Sequence, residues 1–255
     1  MVGGKMSGLL LGLIGGGVSG LATTLGGAPI LIKDSKIGKI LKNINMDFVT
    51  GLMLSAAAFS LIWPAYERVY FSAERSFQLL IVSFALVGGV IFIKSVGKFL
   101  EYLLRHNENA RENKKAMLFV IAMMVHNFPE GLASGASMTL PGSQGVSLLS
   151  AIAMQNVPEG FTTALSFITL GVNPVMAFFG NMLTGVVELV GGIIGGYMSS
   201  QIDGVLPILM AFAGGAMMSV VLGELADKLK EGSYRFLMKP SFLSGMALVI
   251  IFNNL

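Results

Sequence analysis

Three carboxylates in this sequence sit far from any polar neighbourhood. Of the 14 acidic residues, Glu130, Glu159 and Glu188 each lie near the middle of a long apolar stretch, whereas ten others fall in polar segments or at the ends of apolar ones. If those stretches cross a bilayer, an unpaired charge there costs at least about 2.5 kcal/mol, and such a residue marks an ion or substrate pathway by default. Glu224 is a weaker case, because it lies near the end of an apolar run beside Asp227 and Lys228.

Two of the three carboxylates stand in a repeated motif. Met124-Val125-His126-Asn127-Phe128-Pro129-Glu130-Gly131 is echoed 29 residues later by Ala153-Met154-Gln155-Asn156-Val157-Pro158-Glu159-Gly160. That shift is one helix plus a tight turn, so the motifs are expected at similar depth on adjacent antiparallel helices. Each proline removes its own donor and pushes off the carbonyl four residues earlier, Val125 or Met154, which predicts a kink in both helices. Freed carbonyls inside a bilayer are tolerated only where protein or a water-filled cavity receives them.

The spacing selects the chemistry. His126 and Glu130 are four apart and Asn127 and Glu130 three apart, and Gln155, Asn156 and Glu159 repeat the pattern. Each set therefore occupies one helix face, and two such faces meeting would enclose a ring of nitrogen and oxygen donors. Two carboxylates at its centre repel each other unless they are protonated or bridged by cations. Imidazole, carboxylate and amide oxygen, with no thiolate, suit borderline-to-hard divalent ions such as Zn²⁺, Fe²⁺, Mn²⁺ or Cd²⁺ and hold Cu(I) poorly. No resident cofactor is expected; the metal is the substrate.

The elements that must position these residues follow from composition. The chain has 255 residues, 54% of them hydrophobic and only 12% charged, with a mean hydropathy of +0.76. An ordinary soluble protein carries roughly 25% charged residues. The low charge excludes a disordered chain, and the lack of a basic face excludes a nucleic-acid partner. The absence of cysteine excludes disulfides and thiolate metal sites. A bilayer span takes about 20 apolar residues. The expectation is one all-α transmembrane domain of eight helices, at about 6–32, 46–66, 77–99, 115–138, 147–170, 174–199, 204–226 and 240–255. They are expected in a 3+2+3 arrangement with the kinked helices four and five at the core. The first is read as a retained helix, since it is too long for a signal-peptide core and runs on through Pro29.

Charge gives the orientation. Fourteen of the 17 Lys and Arg lie around the odd-numbered loops, against Lys5, Arg68 and Arg75 on the other side. By the positive-inside rule the odd loops face the cytoplasm and both termini face out. Trp63, Tyr66, Tyr70 and Phe71 form an interfacial belt at the outer end of span two. Glycines recur every four residues in span one (Gly8, Gly12, Gly16, Gly20) and span six (Gly191 and Gly195, Gly192 and Gly196). They serve either close helix packing or a sliding surface. His106 falls in the charged loop between spans three and four, where it is either a solvated residue or a transient ligand at the cytoplasmic exit.

The paired motif His126-Asn127-Phe128-Pro129-Glu130-Gly131 and Gln155-Asn156-Val157-Pro158-Glu159-Gly160 resembles the signature of the ZIP (Zrt/Irt-like) divalent metal transporters, in their prokaryotic GufA-type branch. Gly20-Leu21-Ala22-Thr23, Gly51-Leu52-Met53-Leu54-Ser55-Ala56 and Phe212-Ala213-Gly214-Gly215-Ala216-Met217 agree with it, so the resemblance spans nearly the whole chain. It implies an eight-helix homodimeric carrier of the prokaryotic cytoplasmic membrane that brings metal into the cell. It implies two adjoining metal positions. One is lined by His126, Glu130, Gln155 and Glu159 with the Met53 thioether; the other uses Asn127, Glu130, Asn156, Glu159 and Glu188. It also implies elevator-like motion of spans one, four, five and six against the rest. Gln155 and Asn156 stand where many relatives have His and some have Asp, which lowers the charge of the site and relaxes its preference for Zn²⁺. The short loop with a lone His106 argues against metal sensing there.

Two other classes compete. An intramembrane metal hydrolase would use zinc to activate water, but it calls for three firm ligands and a separate base, often as His-Glu-x-x-His. Only one histidine lies in an apolar stretch, and that pattern is absent from the sequence. A cation channel, or a proton-coupled carrier of small amines, would differ from a metal carrier in whether flux saturates at micromolar metal.

Overall fold

The first helix begins where Ser7, in extended backbone, accepts the Leu10 amide on its hydroxyl and so satisfies one of the donors a helix start leaves open. The computed structural model describes residues 7–32, 46–70, 75–105, 111–230 and 234–253. Among these there is no strand, and eight helices follow one another in chain order. Helix α1 is Gly8–Gly27, prolonged by a 3₁₀ turn Ala28–Leu31 at Pro29. Helix α2 runs through three consecutive segments, Met46–Ser55, a π-helical Ala56–Ile62 and Trp63–Tyr70. Then come α3 (Arg75–Arg105), α4 (Arg111–Ser137), α5 (Ser143–Thr169), α6 (Pro174–Gln201), α7 (Val205–Lys230) and α8 (Pro240–Asn253). Lys5, the Lys33–Lys42 cluster and His106 lie outside the described residues.

Burial in this chain is inverted relative to a soluble protein. Phe84 is 69% exposed and Leu25 65% exposed, while Glu130 is 1% and Glu188 0% exposed. Such an outward apolar surface is stable against lipid and not against water. Five described helices are long and apolar enough to cross a membrane: α1, α2, α3, α6 and α7. Helix α8 is a shorter apolar helix.

Packing divides the helices into two groups. In one group α1 packs on α6 and α5, and α4 on α6; in the other α3 packs on α7 and α2 on α8. Contact between the groups is thinner and runs chiefly through α4 against α7. Glycine sets the closeness of the first group. A Cβ on Gly20 would stand 2.1 Å from the Gly185 carbonyl oxygen, and one on Gly135 would stand 1.9 Å from that of Gly192. The glycine faces of α1 and α6 meet each other inside one group. Close packing is therefore their role, and they do not form the surface along which the groups touch.

The second group is held by side chains as well. Ser55 donates to the Met246 carbonyl at 3.0 Å, and Lys239 pairs with the buried Asp47 carboxylate at 2.7 Å, both fastening α2 to the chain at α8. Phe92 and Phe212 stack 5.6 Å apart between α3 and α7. Between the motif helices, the short Ser137–Gly142 turn ends on Gly142 at φ 62°, a conformation that a Cβ disfavours.

Gly20→Ala is expected to lower the melting temperature of the detergent-solubilised protein by about 5 °C or more, because backbone must move to admit the methyl. Gly17→Ala, whose Cβ would meet nothing closer than 3.9 Å, is expected to leave it unchanged. Thermal-shift size-exclusion chromatography of the two variants makes the comparison.

Candidate metal centre

Helix α4 carries its motif through Pro129 and α5 carries its own through Pro158, both without interruption of the helix. Proline is tolerated in such helices when neighbouring groups take up the freed carbonyl. Val125, whose carbonyl Pro129 deprives of its donor, lines a cavity. That cavity, of about 260 Å³, also has His126 and Glu159 in its wall.

The motif faces converge as their spacing predicts. His126 Nε2 lies 3.6 Å from Glu130 Oε1 and 3.4 Å from Glu159 Oε1. One ligand atom of each lies within 4.8 Å of the others, and all three residues are buried. Donors bound at about 2.1 Å around a tetrahedral ion stand about 3.4 Å apart. The separations to His126 thus match the edges of such a polyhedron, and they are too long for hydrogen bonds. Neither ring nitrogen of His126, nor either oxygen of Glu130, has a hydrogen-bond partner, nor do Gln155 Oε1, Asn127 Oδ1 and Asn156 Oδ1. Buried polar atoms left open cost about 1–3 kcal/mol each, so this concentration of them marks a candidate cation site.

The remaining predicted residues take distinct places. Met53, 4% exposed on α2, lines the same cavity as His126 and Glu159. Gln155 is buried one turn before Glu159 on α5. Glu188 on α6 receives the amide groups of both asparagines: Asn127 Nδ2 at 2.7 Å and Asn156 Nδ2 at 2.6 Å. It also accepts the hydroxyls of Ser19 and Thr23 from α1. No motif in the sequence singles out those two hydroxyls. Their four-residue spacing among the glycines of α1 was the available signal.

The cavity runs from the cluster toward one end of the molecule. Its wall takes Val96, Gly97 and Leu100 from the last part of α3, Ala122 and Met123 from the first part of α4, and Thr162, Thr163 and Ser166 from the last part of α5. A wider cleft of about 980 Å³ lies at the other end, among Trp63, Glu67, Arg68, Gln144 and Ser147, and has none of the cluster residues in its wall.

A helical membrane protein whose buried His and Glu side chains on two proline-containing helices converge on a cation-sized space is a membrane metal protein. The chain belongs to the ZIP zinc transporter family: the family's model, described as ZIP Zinc transporter, matches residues 107–253. The chain is 32% identical to zinc transporter GufA of Myxococcus xanthus over 94% of this chain and 96% of that protein. It is 30% identical to zinc transporter ZIPB of Bordetella bronchiseptica over 94% of this chain and 79% of that protein. It is 26% identical to zinc transporter ZupT of Chlorobium chlorochromatii over 91% of this chain and 92% of the relative.

His126→Ala is expected to weaken zinc binding by at least about tenfold, as loss of groups around a metal does. Isothermal titration of the solubilised protein, with thermal stability measured in parallel, checks it.

Proposed function

We propose that this protein carries divalent transition-metal ions, zinc foremost, across the cytoplasmic membrane into the cell. The observation that supports this most is the His126, Glu130 and Glu159 cluster, whose ligand atoms lie within 4.8 Å of one another, with His126 and Glu159 in the wall of a cavity that extends toward one end of the molecule. The donors replace the hydration shell of the ion, with Gln155 Oε1 and the Met53 thioether completing its coordination. The set suits Cd²⁺, Fe²⁺ and Mn²⁺ as further substrates.

Direction follows from charge and cavity together. The cavity is walled by the helix halves next to the odd-numbered loops, where the lysines and arginines concentrate. Those loops face the cytoplasm by the positive-inside rule, which leaves both termini outside. The arrangement is then an inward-facing one, from which the ion leaves past Thr162, Thr163 and Ser166. Alternating access follows from movement of the α1, α4, α5 and α6 group against α2, α3, α7 and α8, about the thinner contact between them. The wide cleft near Glu67 is the entrance in the opposite state.

Two experiments test this reading. In proteoliposomes, saturable ⁶⁵Zn uptake by the wild type is expected to fall to the level of empty vesicles in Glu130→Ala, while that variant still elutes as folded protein. Normal uptake by it would sink the assignment. Because the chain has no cysteine, single-cysteine variants report access without background. Ser166→Cys is expected to react with an impermeant thiol reagent from the cytoplasmic side, more slowly with zinc present, and Gln144→Cys from the outside. The reverse pattern overturns the orientation.

A further inference from the structure

The cavity beside the metal cluster has two unlike sides. Ile93, Val96 and Leu100 of α3 and Val220 of α7 give it apolar walls, and these helices belong to the group that does not carry the cluster. Beyond His126 and Glu159, the polar side chains in its wall among the described residues are Thr162, Thr163 and Ser166, all on α5. They stand three, four and seven residues after Glu159, so they continue its helix face away from the cluster. The opposite side of the same stretch packs inward. Phe161, Ala164 and Phe167 are buried, with Ala164 beside Gly27 of α1 and Phe167 against Gly180 of α6. The hydroxyl face is thus the one that α5 turns to the cavity.

Two of these hydroxyls have their protons assigned. Thr162 Oγ1 donates to the Glu159 carbonyl at 2.9 Å, and Ser166 Oγ to the Thr162 carbonyl at 2.8 Å. A hydroxyl has one proton and two lone pairs. With the proton given to the backbone of its own helix, each oxygen acts toward the cavity as an acceptor only. That polarity suits a cation and repels an anion. His126, 4% exposed, stands in the same wall with neither ring nitrogen hydrogen-bonded, so the cavity starts at an open donor atom for a metal and continues along oxygens. We propose that Thr162 and Ser166 form a transit track for the departing metal. A partly hydrated divalent ion leaving Glu159 takes a lone pair of Thr162 and then one of Ser166, about 6 Å further along the helix. A neutral oxygen holds the ion weakly enough to pass it on, where a further carboxylate would trap it. Because their protons are bonded within α5, the two hydroxyls lie opposite the apolar walls of α3 and α7 without an open donor. They belong to the same helix as Glu159 and travel with the cluster.

The inference rests on the metal-transport reading, and the experiment separates the two. Zinc uptake into proteoliposomes is measured for the wild type, Thr162→Val, Thr162→Ser, Ser166→Ala and the Thr162→Val/Ser166→Ala double variant. Zinc affinity, and the rate of zinc release to a chelating dye, are measured on the same proteins in detergent. No saturable uptake by the wild type defeats the transport reading, and with it the track. Given wild-type uptake, the double variant is expected to lower both Vmax and the release rate about tenfold, the scale of losing oxygen contacts to a charged group. Its zinc affinity should stay within about twofold of the wild type, because a waypoint lowers the barrier in both directions and leaves the bound state alone. Thr162→Ser, which keeps the oxygen that Thr162→Val removes, should recover most of that variant's loss. Ser166→Ala alone gives the same direction of change if the double variant does not fold. An unchanged release rate in the folded variants overturns the proposal. So does a fall in zinc affinity that accounts for the slower uptake, which would make the hydroxyls part of the binding site itself.

Discussion

A carboxylate removed from water must be given hydrogen-bond donors, a counter-charge or a cation, and this molecule meets that requirement in two ways side by side. Glu188 receives four donors from α1, α4 and α5. Glu130 is left open next to His126 and Glu159. Leaving buried polar atoms open is costly, so the second arrangement has to be held by the apolar and hydrogen-bonded frame around it.

The frame depends on how closely helices approach. In lipid there is no hydrophobic drive to press apolar helices together, so packing and hydrogen bonds must do it. Gly12, Gly16 and Gly20 of α1 bring its backbone against that of α6, and Gly131 and Gly135 bring α4 against the same Glu188 and Gly192 carbonyls of α6. Only at this separation can the short side chains Ser19 and Thr23 reach Glu188. Larger residues at those glycines would hold α1 away and leave the carboxylate two donors short. The glycine pattern and the hydrogen bonds to Glu188 are thus one device, and both lie within the group that carries the metal cluster.

Donor chemistry and cavity together explain why carriage fits better than catalysis. A hydrolytic zinc site needs firm ligands and a separate base positioned over a bound substrate. Here one histidine and two glutamates have ligand atoms within 4.8 Å of one another, and the cavity beside them is lined by apolar side chains and the hydroxyls of Thr162, Thr163 and Ser166. The relatives named as zinc transporters in Myxococcus and Bordetella, each matched across nearly all of this chain, agree with that chemistry.

Much of this was legible in the residues themselves. Hydropathy determined an all-helical chain of eight helices, since a long apolar run in a bilayer has no other way to satisfy its backbone. Three- and four-residue spacing determined that His126, Asn127 and Glu130 share a face, as do Gln155, Asn156 and Glu159, because helix geometry is local. Local rules say nothing of partners distant in sequence, such as Thr23 and Glu188, 165 residues apart. Tertiary structure alone decided that Glu188 would turn to α1 and the asparagine amides, that His126 would stand 3.4 Å from Glu159, and that the cavity would lead to one end of the molecule. Those outcomes depend on which helix faces approach and how closely. Backbone contact at glycines sets that distance only once the whole bundle is assembled.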